Sequence, residues 1–209
     1  PLKPAEFRSM LIDAGASVAG YAADITRTWS NGDRLFDALI QGVDAAQRAL
    51  VEGVREGVDY RHLHVECHHR LADVLRDVGV LKGSAEAAVA EGISAAFFPH
   101  GLGHLLGLQV HDVAGFAASD AGGHIERPEG HPFLRLTRPI SAGMVMTIEP
   151  GIYFIESLLA PLRERLPSQR IDWALIERLK PFGGVRIEDD VVCTHGLPEN
   201  LTRDAFAAA

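Results

Sequence analysis

Five side chains able to bind metal, Asp13, Asp24, His104, Glu149 and Glu188, are spread over most of this 209-residue chain, each in a short glycine-rich or β-branched context that reads as a strand or strand end. Four carboxylates and one imidazole bring about four negative charges, which would balance two divalent cations. Gathered without metal they would repel one another and lose solvation, so a pair of dications is the natural means of keeping them ionised. Oxygen donors with a single imidazole favour Mn(II), with Co(II) or Fe(II) next, over a thiolate-selected zinc, although Zn(II) fits such sets as well. Two ions about 3.5–4 Å apart can share a hydroxide, lower its pKa and clamp a tetrahedral intermediate, so the reaction class is metal-assisted hydrolysis.

The first two carboxylates lie in LIDAG and GYAADITRT. A turn through Gly15, Ser17 and Gly20 would fold strands 9–16 and 22–29 together and bring Asp13 and Asp24 to one sheet face. Leu11, Ile12 and Ile25 read as interior neighbours, where an unpaired Asp is costly. The alternative for these two alone is an Asx-turn at Asp13 and an ion pair from Asp24 to Arg27. In FPHGLGHLLGLQVHD, Gly101 and Gly103 disfavour a helix and suit a tight loop into a strand, so one of His100, His104 and His111 can be a ligand while the others face a substrate. Three imidazoles in one apolar stretch speak against ordinary core or loop roles. Glu149 closes the apolar strand of MVMTIEPGIYFI before Pro150-Gly151, and Glu188 alternates with Val185, Ile187 and Val191; a buried carboxylate in either place needs a cation.

The elements that must position these groups follow from periodicity. Apolar residues recur at three and four from Gly32 to Gly57, which predicts a long helix capped by Asp33 or Asn31. A second helix is expected over 60–78, stopping at Gly79, a short third over 85–91, and another over 172–180. The segment 97–113 reads as extended and glycine-punctuated, 114–132 as a polar loop long enough to be a lid, and 144–155 and 184–193 as β-rich. Together these predict one α+β domain over residues 1–209, with helices covering one face of a mostly antiparallel sheet. Pro1 in place of an initiator Met, with a strand starting almost at once, gives the expectation of the later part of a longer polypeptide.

Composition narrows the partners. A net charge of -8 argues against nucleic acid and anionic membranes, and the one basic cluster, Arg163 to Arg170, is interrupted by Glu164 and Pro167. Cys67 and Cys193 form no CxxC motif, so a reducing cytoplasm is the expected compartment. No continuous apolar run reaches membrane-span length, and no signal-peptide pattern opens the chain.

LIDAG, GYAADITRT, HGLGHLLGLQVHD, TIEPGIYFIESLLAP and GGVRIEDDVV, in this order, resemble the signature segments of the proline dipeptidases (Xaa-Pro dipeptidases, prolidases) of bacterial type, members of the pita-bread (creatinase/aminopeptidase) superfamily. The resemblance implies hydrolysis of dipeptides with C-terminal proline and a curved, mostly antiparallel sheet with covering helices. It implies that Asp13, Asp24, His104, Glu149 and Glu188 hold two metal ions, Asp24 and Glu188 bridging, with Glu149 also shuttling a proton to the departing proline nitrogen. It makes His111 a contact to the scissile region, places His100 nearby, makes Arg135 the receiver of the substrate carboxylate and Arg186 a second active-site arginine. It also implies a homodimer, and a catalytic portion lacking the family's N-terminal domain and the first part of its catalytic domain.

His62, His64, His68 and His69 fall on the second helix and read as a solvated face; His124 and His131 lie in the long loop with no role assigned. Three rival functions stand beside the dipeptidase: an Xaa-Pro or methionine aminopeptidase of the same fold, against which Arg135 and ESLLAP speak; phosphotriester hydrolysis as a side activity; and a non-catalytic binding module, which loss of a metal ligand would mark.

Overall fold

The computed structural model describes residues 7–166 and 170–209; Pro1 and Pro167, which entered the sequence reading, lie outside them. Strands β1 (Ser9–Ala14) and β4 (Ile25–Ser30) pair antiparallel with Asp13 opposite Thr26. Between them sits a small hairpin of β2 (Ser17–Val18) and β3 (Tyr21–Ala22), whose turn residues Ala19 and Gly20 both take positive φ, 52° and 87°, as a type I′ turn requires. The two long strands expected here are therefore four short ones, and Asp24 stands just ahead of β4. Nor is this sheet interior: Met10 and Ile12 are 52% and 44% exposed, because among the described residues β1 pairs only with β4.

Helix α1 (Arg34–Glu52) begins where Asp33 accepts from the backbone N–H of Leu35 and Phe36 and buries Phe36, Leu39, Val43, Leu50 and Val51. Helix α2 (Tyr60–Asp77), capped by Asp59, packs against α1 and stops before Gly79, whose φ is 86°. Then follow α3 (Ala85–Ala90), capped by Ser84, and α4 (Ile93–Phe97), which places Phe97 in a helix rather than in an extended segment.

Two further antiparallel pairs bring together strands distant in sequence. β5 (Val145–Ile148) pairs with β8 (Asp189–Val192), and β6 (Gly151–Tyr153) pairs with β7 (Gly184–Arg186), all antiparallel. The chain links them through α5 (Glu156–Arg165), which the sequence reading did not foresee, and α6 (Trp173–Leu179). Short β9 (Glu199–Asn200) joins β8 and leads into α7 (Leu201–Ala208). An isolated bridge between Thr26 and Glu188 stitches the first hairpin to these strands, and another between Leu105 and Met146 adds the histidine segment beside β5.

Helix α1 lies across β4, β5 and β7. The core between the layers holds Phe36, Leu39, Met146, Ile148, Ile152, Val185 and Val191, all buried; truncating such a Leu to Ala costs about 2–5 kcal/mol. Tyr60 enters this core with its hydroxyl donating to the Thr147 carbonyl at 3.0 Å, and Gln47 donates to the Ile148 carbonyl at 3.3 Å. The polar loop expected at 114–132 is irregular, as anticipated, and is held by Thr137 donating to the Ile125 carbonyl and Arg127 to that of Leu134. No helix among the described residues is long and apolar enough to cross a membrane.

Candidate metal centre

His104 reaches its place because Gly103 lets the backbone press against β5: a Cβ there would fall 2.0 Å from the Thr147 carbonyl oxygen and 2.5 Å from the Tyr60 hydroxyl. The His104 N–H donates to the Thr147 hydroxyl, and the Thr147 N–H returns a bond to the His104 carbonyl. Its ring Nδ1 faces the Leu105 carbonyl at 3.0 Å, an oxygen that can only accept. Nδ1 therefore donates there, which leaves Nε2 as the nitrogen turned toward the carboxylates, the orientation a metal ligand needs.

That Nε2 lies 3.5 Å from Asp24 Oδ2 and 3.7 Å from Glu149 Oε1. Ligand atoms of Asp24, His104 and Glu188 all lie within 4.8 Å of one another. Glu188 is 2% exposed and accepts from the Thr26 hydroxyl at 2.6 Å. Glu149 leaves β5 with its N–H on the Leu102 carbonyl. Asp13 opens into the same cleft but is turned to Arg186, which also donates to the Tyr153 hydroxyl and to Thr26. The alternative pairing of Asp24 with Arg27 is overturned: Arg27 binds Asp189 at 2.5 Å, alongside Arg203 at 2.6 Å.

The electrostatics are those of an acidic cluster short of positive charge. Burial first, and then the charges of Glu188 and Asp24, push the Glu149 carboxyl well up. Burial does the same to Glu188, with Asp24 and Asp13 adding and the Thr26 bond opposing. His104 is raised despite its burial, because Asp24, the Leu105 carbonyl and the two glutamates outweigh the loss of solvation. Hard oxygens around one imidazole fit divalent cations.

The remaining expected residues surround this set in a cleft of about 1100 Å³. The exposed His111 ring stands edge-on to His104 at 4.3 Å between centroids. His100 donates from Nδ1 to the Gly101 carbonyl and accepts at Nε2 from Tyr153, both at 2.8 Å; burial pushes its pKa down to about 4, so it is neutral. Arg135 lines the cleft and makes no carboxylate pair among the described residues. Sequence reasoning missed Asp190, 5% exposed, which accepts the Asp24 N–H at 3.2–3.3 Å and is pushed up to about 6 by burial. It also missed Thr26, Thr147 and Tyr153. The signal for two of these was the strand period: Thr26 follows Asp24, and Asp190 follows Glu188, by two.

His64 and His68 are not on a solvated face. Each is 1% exposed, and their rings meet that of His131 in the long loop edge-on.

A pita-bread fold carrying convergent carboxylates and one imidazole in an open cleft defines a metallohydrolase site. Residues 2–195 match the model of metallopeptidase family M24, and the chain belongs to that family, whose members imply divalent metal ions. It is 60% identical over 207 residues to an Xaa-Pro dipeptidase of Xanthomonas axonopodis pv. citri (strain 306), covering 99% of this chain and 47% of that protein. It is 58% identical over 207 residues to an Xaa-Pro dipeptidase of Stenotrophomonas maltophilia (strain K279a), with the same two coverages, 99% and 47%. The chain thus spans about half the length of the curated relatives it matches. Among solved structures, Pseudomonas aeruginosa aminopeptidase PepP superposes with a TM-score of 0.69 at 30% identity, over 93% of this chain and 38% of that one. Proline aminopeptidase P II from Yersinia pestis gives 0.67 at 34%, over 94% and 38%.

Proposed function

We propose that this chain carries the hydrolytic centre of an Xaa-Pro dipeptidase. The observation that supports it is the convergence of Asp24, His104 and Glu188 within 4.8 Å, with Glu149 beside them, in a cleft that also holds Arg135, which has no carboxylate partner among the described residues. Asp13, Asp24, His104, Glu149 and Glu188 would hold two divalent ions, Mn(II) by the preference of oxygen donors. When bound, the ions supply an activated water and a Lewis acid for the substrate carbonyl.

The protein groups do the rest. Arg135 receives the free carboxylate of the C-terminal proline through a bidentate guanidinium pair, which sets the length limit of the substrate. His111 donates to the developing oxyanion. Glu149 passes a proton to the proline nitrogen, which is tertiary in the peptide bond and leaves poorly unless protonated. Arg186 holds Asp13 and, through Tyr153, orients the neutral His100 ring. The full protein acts on small dipeptides as a cytoplasmic homodimer, with phosphotriester cleavage at most a side activity.

A second reading, an Xaa-Pro aminopeptidase, draws support from the solved neighbours; a carboxylate clamp at Arg135 opposes it. The test is proline release from Gly-Pro against cleavage of a Gly-Pro-Ala tripeptide and a phosphotriester, with metal content measured on the same protein. Faster tripeptide cleavage overturns the dipeptidase reading, and a chain without metal overturns the hydrolase.

A further inference from the structure

We propose that His64, His68 and His131 form a second metal site, separate from the carboxylate centre, that binds one imidazole-preferring divalent cation such as Zn(II). His64 and His68 are one turn apart on α2 and share a face; His131 comes from the turn between Gly130 and Pro132. One nitrogen from each ring lies within 4.8 Å of the others. The ring centroids are 4.6–4.8 Å apart pairwise, a convergence of three donors from two separate segments.

The hydrogen bonds around the cluster leave room for a cation. His64 Nε2 and His131 Nδ1 meet at 2.9 Å, and His68 Nδ1 meets the Ser94 hydroxyl at 3.0 Å. That leaves His64 Nδ1 and His68 Nε2 buried without a partner among the described residues. A histidine cluster kept only for packing would find acceptors or donors for such atoms, since an unpaired buried nitrogen destabilises the fold. With the Ser94 hydroxyl accepting from Nδ1, His68 presents a bare Nε2 lone pair, the arrangement that orients a ligating imidazole.

The walls define the ion. A cavity of about 180 Å³ adjoins the three rings, with Phe98, Leu134 and Leu158 around it and no carboxylate or thiol in its lining. Three neutral imidazoles without oxygen anions suit Zn(II) rather than Mg(II) or Mn(II), with water in the fourth position. The cavity shares Pro99, His100, Pro132 and Phe133 with the main cleft. A cation here ties the loop that leads to Arg135 onto α2.

The experiment uses the full chain with Asp24→Asn and Glu188→Gln together, which disables the carboxylate centre, stripped with chelator and titrated with Co(II) and Zn(II). One equivalent is expected, with the intense visible absorption of four-coordinate Co(II). Adding His131→Ala, at a half-buried position, or His68→Gln should abolish it while circular dichroism stays unchanged. X-ray absorption of the zinc-loaded protein, which needs no further substitution, should show a first shell with three imidazoles. No bound equivalent in this background, binding indifferent to both substitutions, or a shell dominated by carboxylate oxygen would each overturn the site.

Discussion

The Thr26 hydroxyl donates to Glu188 at 2.6 Å from within the bridge that joins β4 to the segment between β7 and β8. The same oxygen accepts from Arg186 Nε at 3.2 Å. Thr26→Val keeps the shape and removes both contacts, leaving a buried carboxylate without its donor. We expect a loss of about 1.5–3 kcal/mol in denaturant unfolding and a roughly 10–100-fold weaker metal affinity in competition titrations. Unchanged affinity would reduce Thr26 to a packing role.

Arg135 is exposed in the cleft and free of carboxylate partners among the described residues. Arg135→Ala should raise KM for Gly-Pro about 10–100-fold, the worth of a charge-assisted pair, with Arg135→Lys in between. Gly-prolinamide, which has no carboxylate, should be cleaved equally by wild type and variant. If the amide loses as much as the acid, the clamp lies elsewhere.

Glu149→Gln preserves size and removes the proton carrier. At matched metal content kcat on Gly-Pro should fall about 10²–10⁴-fold. A metal-loaded variant keeping most of its rate would remove Glu149 from proton transfer.

His64 and His68 set the acid limit of the fold. Their folded pKa values, about 2 and about 3, lie below the ordinary 6.5 because burial disfavours the charged rings. As pH falls below about 6.5 the unfolded chain therefore takes up protons that the folded chain refuses. Stability should drop by about 1.4 kcal/mol per histidine per pH unit, continuing towards pH 3. Chemical denaturation in chelator at pH 7.5, 6.5 and 5.5 measures it; in His64→Gln/His68→Gln the slope should flatten, and a wild type equally stable at all three would refute the account.

Much of this molecule is written in local pattern. Asp33 and the row from Phe36 to Val51 determine α1, and the five metal-binding candidates stand out because carboxylates inside β-branched runs are costly unless something compensates them. What escaped is what only tertiary pairing decides. Helix α5 carries Pro161, a residue that argues against a helix unless packing overrides it. Arg27 has acids at hand in sequence, yet its partner Asp189 arrives from the far end of the chain. The burial of His64 and His68 was legible in principle, since both fall in phase with Tyr60, Leu63, Cys67 and Leu71 on the buried side of α2.

The contacts of Asp13 with Arg186 and of Thr26 with Glu188 span 173 and 162 positions of sequence. Loops that long close at high entropic expense, so this seam zips after the helices have formed. During synthesis the chain therefore emerges with Asp13, Asp24 and Glu149 made but ungathered, and the carboxylate cluster cannot close until the segment carrying Glu188 arrives. Once fastened, any ion held there clasps β1 and β4 to the segment between β7 and β8 and slows the first step of coming undone.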